Sequence, residues 1–238
     1  MKTTTRIGSW IQIGHPAVAE IMANAGFEWL AVDMEHTDIS MPQLSNLIRG
    51  MGDCVPFVRV RENDTLCIRQ ALDAGAQGVI VPLVNTADEA RRAVAAAKYP
   101  PQGVRGFAFC RANAYGAVFD EYAESANDDI AVVVMIESRS AVENIGRILA
   151  VDGVDGAFIG PYDLSGSYGF PGLVKHPRVL EARRAVLDAC ADLGKVAGVH
   201  LVQPVGDDIE QAEADGFTFI AIGGDTMFLN QASREAAI

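Results

Sequence analysis

The sequence predicts a (β/α)8 barrel. Three observations lead there: eight short β-rich runs, an amphipathic stretch between most neighbouring runs, and strands apolar on both faces, as burial in a parallel sheet demands. The 238 residues are 50% hydrophobic and 21% charged, and barrels of this kind use about 250 residues for one core. A single domain over residues 1–238 is the expectation.

The strands are expected at 7–13, 29–34, 55–60, 78–84, 131–137, 156–160, 196–201 and 217–223. Ala131-Val132-Val133-Val134-Met135-Ile136 is the clearest, a β-branched run with no polar face. Crossover helices are expected at 18–25, 41–49, 65–74, 86–97, 141–149, 177–193 and 207–214, with Gly26, Gly75, Gly194 and Gly216 placed to end four of them. A doubly wound open sheet is the alternative. Its phosphate-binding fingerprint G-x-G-x-x-G is missing after the first strand, where Gly14-His15-Pro16 stands instead. Two places depart from strict alternation: the fourth connection, 100–129, is long, and the tail after Asp225 is short for a full eighth helix.

A formal charge of −12 argues against nucleic acid or an anionic membrane as partner and favours small molecules and cations. Cys54, Cys67, Cys110 and Cys190 form no C-x-x-C pair, so neither a zinc cage nor a disulfide framework is indicated. No run reaches the roughly 18 apolar residues of a membrane span, and the first residues lack a long apolar signal core. Together these point to a reducing cytoplasm.

Active sites of such barrels lie at the C-terminal ends of the strands. There the chain places Asp33-Met34-Glu35-His36, Arg59-Val60-Arg61, Glu137, Gly160-Pro161-Tyr162-Asp163, His200 and Gly223-Gly224-Asp225. Glu137 and Asp163 close adjacent strands. Two carboxylates without a thiolate nearby suit a hard divalent cation, Mg²⁺ or Mn²⁺; the plain alternative is that each caps the helix that follows. His36, beside two acids, suits a general base or a loop hydrogen bond. Arg59, in an apolar strand, needs an anion: a bound oxyanion, or Asp33 or Glu35. For His200 a satisfied structural histidine is the preferred reading.

The lysines, Lys2, Lys98, Lys175 and Lys195, all fall away from the expected mouth, which argues against Schiff-base chemistry. No G-x-S-x-G elbow is present. Metal-assisted carbonyl chemistry remains.

The order of several motifs then resembles the HpcH/HpaI aldolase family. They are Gly8-Ser9-Trp10, the run from Ala25 to His36, Val58-Arg59-Val60 with Asn63-Asp64, Leu72-Asp73-Ala74-Gly75-Ala76, Val81-Pro82-Leu83-Val84, the run from Tyr99 to Gly106, Ile136-Glu137, and Gly160-Pro161-Tyr162-Asp163-Leu164-Ser165 followed by Gly169-Phe170-Pro171-Gly172. The last is the most specific.

The resemblance implies a barrel of the phosphoenolpyruvate/pyruvate-domain type, usually hexameric, that reversibly cleaves a 4-hydroxy-2-oxo acid to pyruvate and an aldehyde. It implies a divalent metal on Glu137 and Asp163, with Mg²⁺ or Mn²⁺ ahead of Co²⁺ or Zn²⁺. Arg59 would stabilise the enolate oxygen, and His36, paired with Asp73, would move protons through water. Trp10 would wall the pocket, and backbone N–H groups around Gly160, Pro161, Tyr162 and Asp163 would hold the substrate carboxylate. Related readings are another metal-enolate lyase, an oxaloacetate decarboxylase or, more remotely, a non-catalytic carboxylate-binding barrel.

The chain departs from the family pattern in three places. Met135 stands where a Gln is common near the oxo acid. Arg111, Asn113 and Tyr115 in the fourth connection form a polar cluster that either contacts the acceptor or packs as a loop. The tail from Met227 is short for the last helix that the family often exchanges between subunits, which bears on the hexamer.

Overall fold

The computed structural model describes residues 5–237. Eight parallel strands close into a barrel in chain order: β1 (Arg6–Ile11), β2 (Trp29–Asp33), β3 (Val55–Arg59), β4 (Gly78–Val81), β5 (Ala131–Ile136), β6 (Gly156–Ile159), β7 (Val196–Leu201) and β8 (Phe219–Ile222). Pairing of Arg6 with Phe219 and Gly8 with Ala221 completes the ring. All eight expected strands are present, with ends that differ from expectation by no more than a few residues.

Around the barrel run α1 (Pro16–Asn24), α2 (Met41–Gly50), α3 (Thr65–Asp73), α4 (Ala87–Ala97), α5 (Phe119–Asp129), α6 (Arg139–Glu143), α7 (Ile145–Leu149), α8 (Pro161–Ser167), α9 (Pro177–Asp192), α10 (Asp208–Asp215) and α11 (Asp225–Ala236). The tail expected to be short for a helix therefore forms 12 helical residues. Asp225 starts that helix and accepts the backbone N–H groups of Gln12 and Ile13, tying the chain's end to its first strand. The helix expected over 141–149 is broken at Asn144 into α6 and α7. The long fourth connection holds an irregular 3₁₀ segment, Arg111–Gly116, and then α5. Gly216 ends α10 at φ 110°, a left-handed cap that its missing Cβ makes cheap.

Two apolar layers result. Outward strand residues such as Leu30, Val32 and Val132 pack under the helices, while Trp29, Phe57, Phe158 and Phe219 fill the barrel. The Trp29 and Phe219 rings stack at 3.9 Å. Small residues make room for them: a Cβ on Gly8 would lie 2.1 Å from Trp29, and one on Gly78 2.2 Å from Phe57. Trp29 is fully buried, and truncating such a side chain to Ala costs about 3–5 kcal/mol.

Candidate active site at the barrel mouth

Side chains alternate across a strand, so the residues that fill the barrel also fix which strand-end groups point into it. Continuing the inward column of Trp29 and Ala31 brings Asp33 to the mouth, and continuing Phe57 brings Arg59. Val133 and Met135 lead to Glu137, Phe158 to Gly160 and Gly198 to His200. These ends surround a cavity of about 360 Å³ whose lining includes Trp10, His36, Arg59, Glu137, Asp163 and His200. A larger depression of about 880 Å³ between α1 and α2 contains none of these strand-end groups.

Arg59 donates from Nε to Asp33 Oδ1 at 2.9 Å and from a terminal nitrogen to Oδ2 at 2.7 Å. Its guanidinium lies 4.7 Å from the centre of the Trp10 ring. Burial pushes the Asp33 carboxyl up, but Arg59, the His36 backbone N–H and the Gln12 amide outweigh it and hold its pKa below the usual carboxylate value. Asp33 thus offsets the desolvation of Arg59. Both sequence readings of Arg59 are compatible, because Nη1 is not used by Asp33.

Glu35 Oε2 is buried between Arg59 Nε at 3.4 Å and His36 Nε2 at 3.6 Å without a hydrogen bond to either. Burial raises the Glu35 pKa, with Arg59 and His36 opposing the rise.

Glu137 is 6% exposed. Burial pushes its pKa up to about 7, the Leu83 N–H opposes this, and the neighbouring charges of Glu35 and Asp163 add to it. Neither carboxylate makes a capping hydrogen bond, although Asp163 keeps the favourable first-turn position of an acid. Ser138 caps α6 through Ala141 N, and Glu137 instead accepts from Leu83 N at 3.1 Å. Asp163 sits in the first turn of α8, which begins at Gly160 with no side-chain cap. Gly160 has to be small, since a Cβ there would lie 2.7 Å from Glu137 Oε1. Its own N–H is taken by Ile136 O at 3.4 Å, and Pro161 has none, which leaves the N–H groups of Tyr162 and Asp163 for a ligand.

The pairing of His36 with Asp73 is not formed within this chain. Asp73 ends α3 at the opposite end of the barrel, where it binds the fully buried Arg105 at 2.7 Å. The carboxylate near His36 is Glu35, and the imidazole is 61% exposed. Arg111, Asn113 and Tyr115 also lie away from the mouth. Asn113 accepts the Cys110 and Gly116 N–H groups, Arg111 packs at Gly75, and the Tyr115 hydroxyl accepts from Arg49. Within one chain they organise the loop, at the same end of the barrel as Asp73.

Lys98 and Lys195 are tied to backbone carbonyls behind the strands, and Lys2 lies outside the described residues. His200 faces the cavity yet bonds Gly223 O at 2.9 Å, and burial pulls its pKa down to about 4. Met135 is 2% exposed in the cavity wall, so a thioether stands there instead of an amide. Sequence reasoning missed Gln12, which donates to Asp33 and accepts from Thr226, and the Leu83 N–H. A backbone donor leaves no mark in residue type.

The residues present fit a hard cation. Glu137 and Asp163 contribute oxygens only, the missing Cβ of Gly160 lets the Glu137 carboxyl lie close against it, and at Glu137 burial with the neighbouring charges of Glu35 and Asp163 outweighs the Leu83 N–H and Arg59. Among the described residues no group of three or more His, Cys, Asp or Glu is placed to hold an ion unaided. Two protein oxygens, with water and substrate completing the shell, is the manner of Mg²⁺ and Mn²⁺.

A family model described as HpcH/HpaI aldolase/citrate lyase matches residues 6–232. The chain is 41% identical to a 4-hydroxy-2-oxovalerate aldolase of Rhodococcus jostii over 98% of this chain and 91% of the other. It is equally 41% identical to a hydroxypyruvate/pyruvate aldolase of Sagittula stellata, over 96% and 90%. A solved HpcH/HpaI aldolase/citrate lyase family protein from Burkholderia cenocepacia superposes with a TM-score of 0.93 at 34% identity, covering 99% of this chain and 94% of that one.

Proposed function

As this chain belongs to the HpcH/HpaI aldolase/citrate lyase family and is an aldolase yielding pyruvate, we propose that its mouth holds a Mg²⁺ or Mn²⁺ ion on Glu137 and Asp163 and cleaves a 4-hydroxy-2-oxo acid between C3 and C4. The observation that carries this reading is the buried Glu137 carboxylate, beside Asp163 and short of positive partners, across the cavity from Arg59. The bound cation would supply Lewis-acid polarisation of the 2-oxo group and neutralise the two carboxylates.

The chain's own groups then divide the work. Trp10 walls the cavity and supports the face of Arg59. The free N–H groups of Tyr162 and Asp163 hold the substrate carboxylate. His36, through a water, takes the proton from the C4 hydroxyl. The C3–C4 bond breaks, its electron pair forms the enolate of pyruvate, and the aldehyde departs. Arg59 donates to the oxygen on which that charge develops, and a prealigned donor at such a position contributes about 10²–10³ in rate. Return of that proton from His36 through water to C3 gives the methyl group of pyruvate and restores the base.

Asp73 can serve His36 only from another copy of the chain, because within one copy it lies at the far end of the barrel. The reading therefore includes a homo-oligomer, a hexamer by resemblance. Mixing inactive His36→Ala and Asp73→Asn proteins should restore part of the activity if the pair forms between copies. A cytoplasmic enzyme fits the free cysteines, and among the described residues no helix is long and apolar enough to cross a membrane.

The test is exchange of the pyruvate methyl protons in deuterated water, followed by NMR, with metal-free protein, with added Mn²⁺, and with Arg59→Ala. Exchange that needs both Mn²⁺ and Arg59 supports the reading. Equal exchange in the chelated protein sinks it.

A further inference from the structure

Three described non-glycine residues have positive φ, and two of them, Ala114 and Tyr115, belong to the irregular 3₁₀ segment. The third is Leu83, at φ 55° in the loop between β4 and α4. A leucine resists this left-handed conformation, because its Cβ crowds the following carbonyl. Leu83 is 61% exposed, so packing within the chain does not explain the choice. What the conformation delivers is the backbone N–H, aimed at Glu137 Oε2 from 3.1 Å.

The same residue is held from its other end. Leu83 O accepts from Asn85 Nδ2 at 2.9 Å, and the Asn85 side-chain oxygen meets the hydroxyl of Ser138. Ser138 directly follows Glu137. The contacts therefore close a ring, from the Glu137 carboxylate through Leu83 and Asn85 to Ser138 and back along the chain to Glu137. Asn85 is fixed in turn by its N–H to Glu89 at 2.7 Å and by Asn144 on its carbonyl at 3.0 Å. On the other side of the carboxylate, Oε1 receives no side-chain or loop donor among the described residues; the carboxyl packs against Gly160, where a Cβ would lie 2.7 Å from Oε1, and Glu137 lines the mouth cavity together with Asp163.

We propose that this ring is a clip in which Leu83 and Asn85 are positioning residues: they anchor one oxygen of Glu137 so that the other is presented to the divalent cation. The inference rests on the reading of Glu137 as a cation ligand. Its physical basis is that a carboxylate free to rotate must be ordered when the ion binds, whereas one held by a rigid donor has been ordered by folding. Partners that orient ligating groups in this way change metal affinity by about 10–100-fold when lost. Backbone strain of this type persists where the surrounding structure over-determines it, and that is the condition the Asn85 contacts supply.

The experiment uses the full chain and Mn²⁺ alone as probe, with free Mn²⁺ counted by electron paramagnetic resonance and melting followed by circular dichroism. Three variants separate the causes. Leu83→Ile adds a β-branch that disfavours the left-handed backbone, Asn85→Ala removes the anchor, and Leu83→Gly adopts the conformation freely. Leu83→Ile and Asn85→Ala are expected to weaken Mn²⁺ binding about tenfold or more, while Leu83→Gly binds as the native chain does.

A merely structural loop would lower the melting temperature and leave Mn²⁺ affinity unchanged in both weakened variants, and that result overturns the clip. Equal loss in Leu83→Gly and Leu83→Ile assigns the effect to the side chain and overturns it too. Absence of Mn²⁺ binding in the native chain overturns the ligand reading itself, and the clip with it, before any variant is compared.

Discussion

Arg59 grips Asp33 through two hydrogen bonds of 2.9 and 2.7 Å while its flat face covers Trp10. The pair places a guanidinium inside an apolar barrel without leaving its charge unpaired. Lysine cannot reproduce the fork. Arg59→Lys should therefore fold, and should lower turnover by about 10²–10³ if Arg59 also serves the developing enolate oxygen. Asp33→Asn should instead cost up to about 3–5 kcal/mol of stability in urea unfolding, because it removes the hydrogen-bonded partner of a buried cation and leaves only Glu35, 3.4 Å from Nε. Unchanged stability in that variant would mean Arg59 finds another partner.

Glu137 carries a desolvation cost that a bound cation would relieve. Its pKa lies at about 7 in the fold against 4.5 ordinarily, raised first by burial. The folded state keeps this proton longer than the unfolded chain, so the group's contribution makes the metal-free protein less stable as pH rises from about 4.5 to about 7, and constant above. The effect is on the order of 3 kcal/mol. Metal-free Glu137→Gln should consequently melt higher than the native protein at pH 8, with the difference gone near pH 4. A variant that melts lower at pH 8 would show that the carboxylate is better solvated than its burial indicates.

Cation binding should carry the same signature. Below pH 7 the ion competes with a proton on Glu137, and apparent affinity should fall about tenfold per pH unit. The rise in melting temperature on adding Mn²⁺ should be large at pH 8 and small at pH 5.5. Glu137→Gln and Asp163→Asn should show almost no rise at either pH. A pH-independent shift would place the ion elsewhere.

Asp73 and Arg105 form the other buried ion pair, at 2.7 Å, and the Arg105 side chain is fully buried. Arg105 also covers the Tyr99 ring from 4.6 Å. Asp73→Asn should lower stability by about 3–5 kcal/mol. Differential scanning calorimetry measures this directly, and a melting temperature equal to that of the native chain would remove the structural role assigned here.

The eight strands and their order could be read along the chain because parallel strands buried on both faces leave continuous apolar runs such as Val132-Val133-Val134. Strand-end chemistry was legible for a related reason. Once the strands are placed, period-two alternation carries Asp33, Arg59, Glu137 and Gly160 to one mouth. The glycine at 160 marks the close approach of Glu137.

Other features were decided only by folding. Whether Arg59 meets a substrate or Asp33 depends on register between β2 and β3, which sets Asp33 opposite Arg59. Resemblance pairs Asp73 with His36, and it is helix direction that carries Asp73, within one chain, to the far end of the barrel beside Arg105. The polar cluster of the fourth connection is drawn to that same end, because the segment leads into the start of β5. The donor to Glu137 is a main-chain N–H, available to almost any residue type and aimed only by the left-handed turn at Leu83. Composition and periodicity determine which residues are buried and which face they take. Pairing among charged groups from different strands is settled by register, helix length and loop conformation, which appear only when the barrel closes.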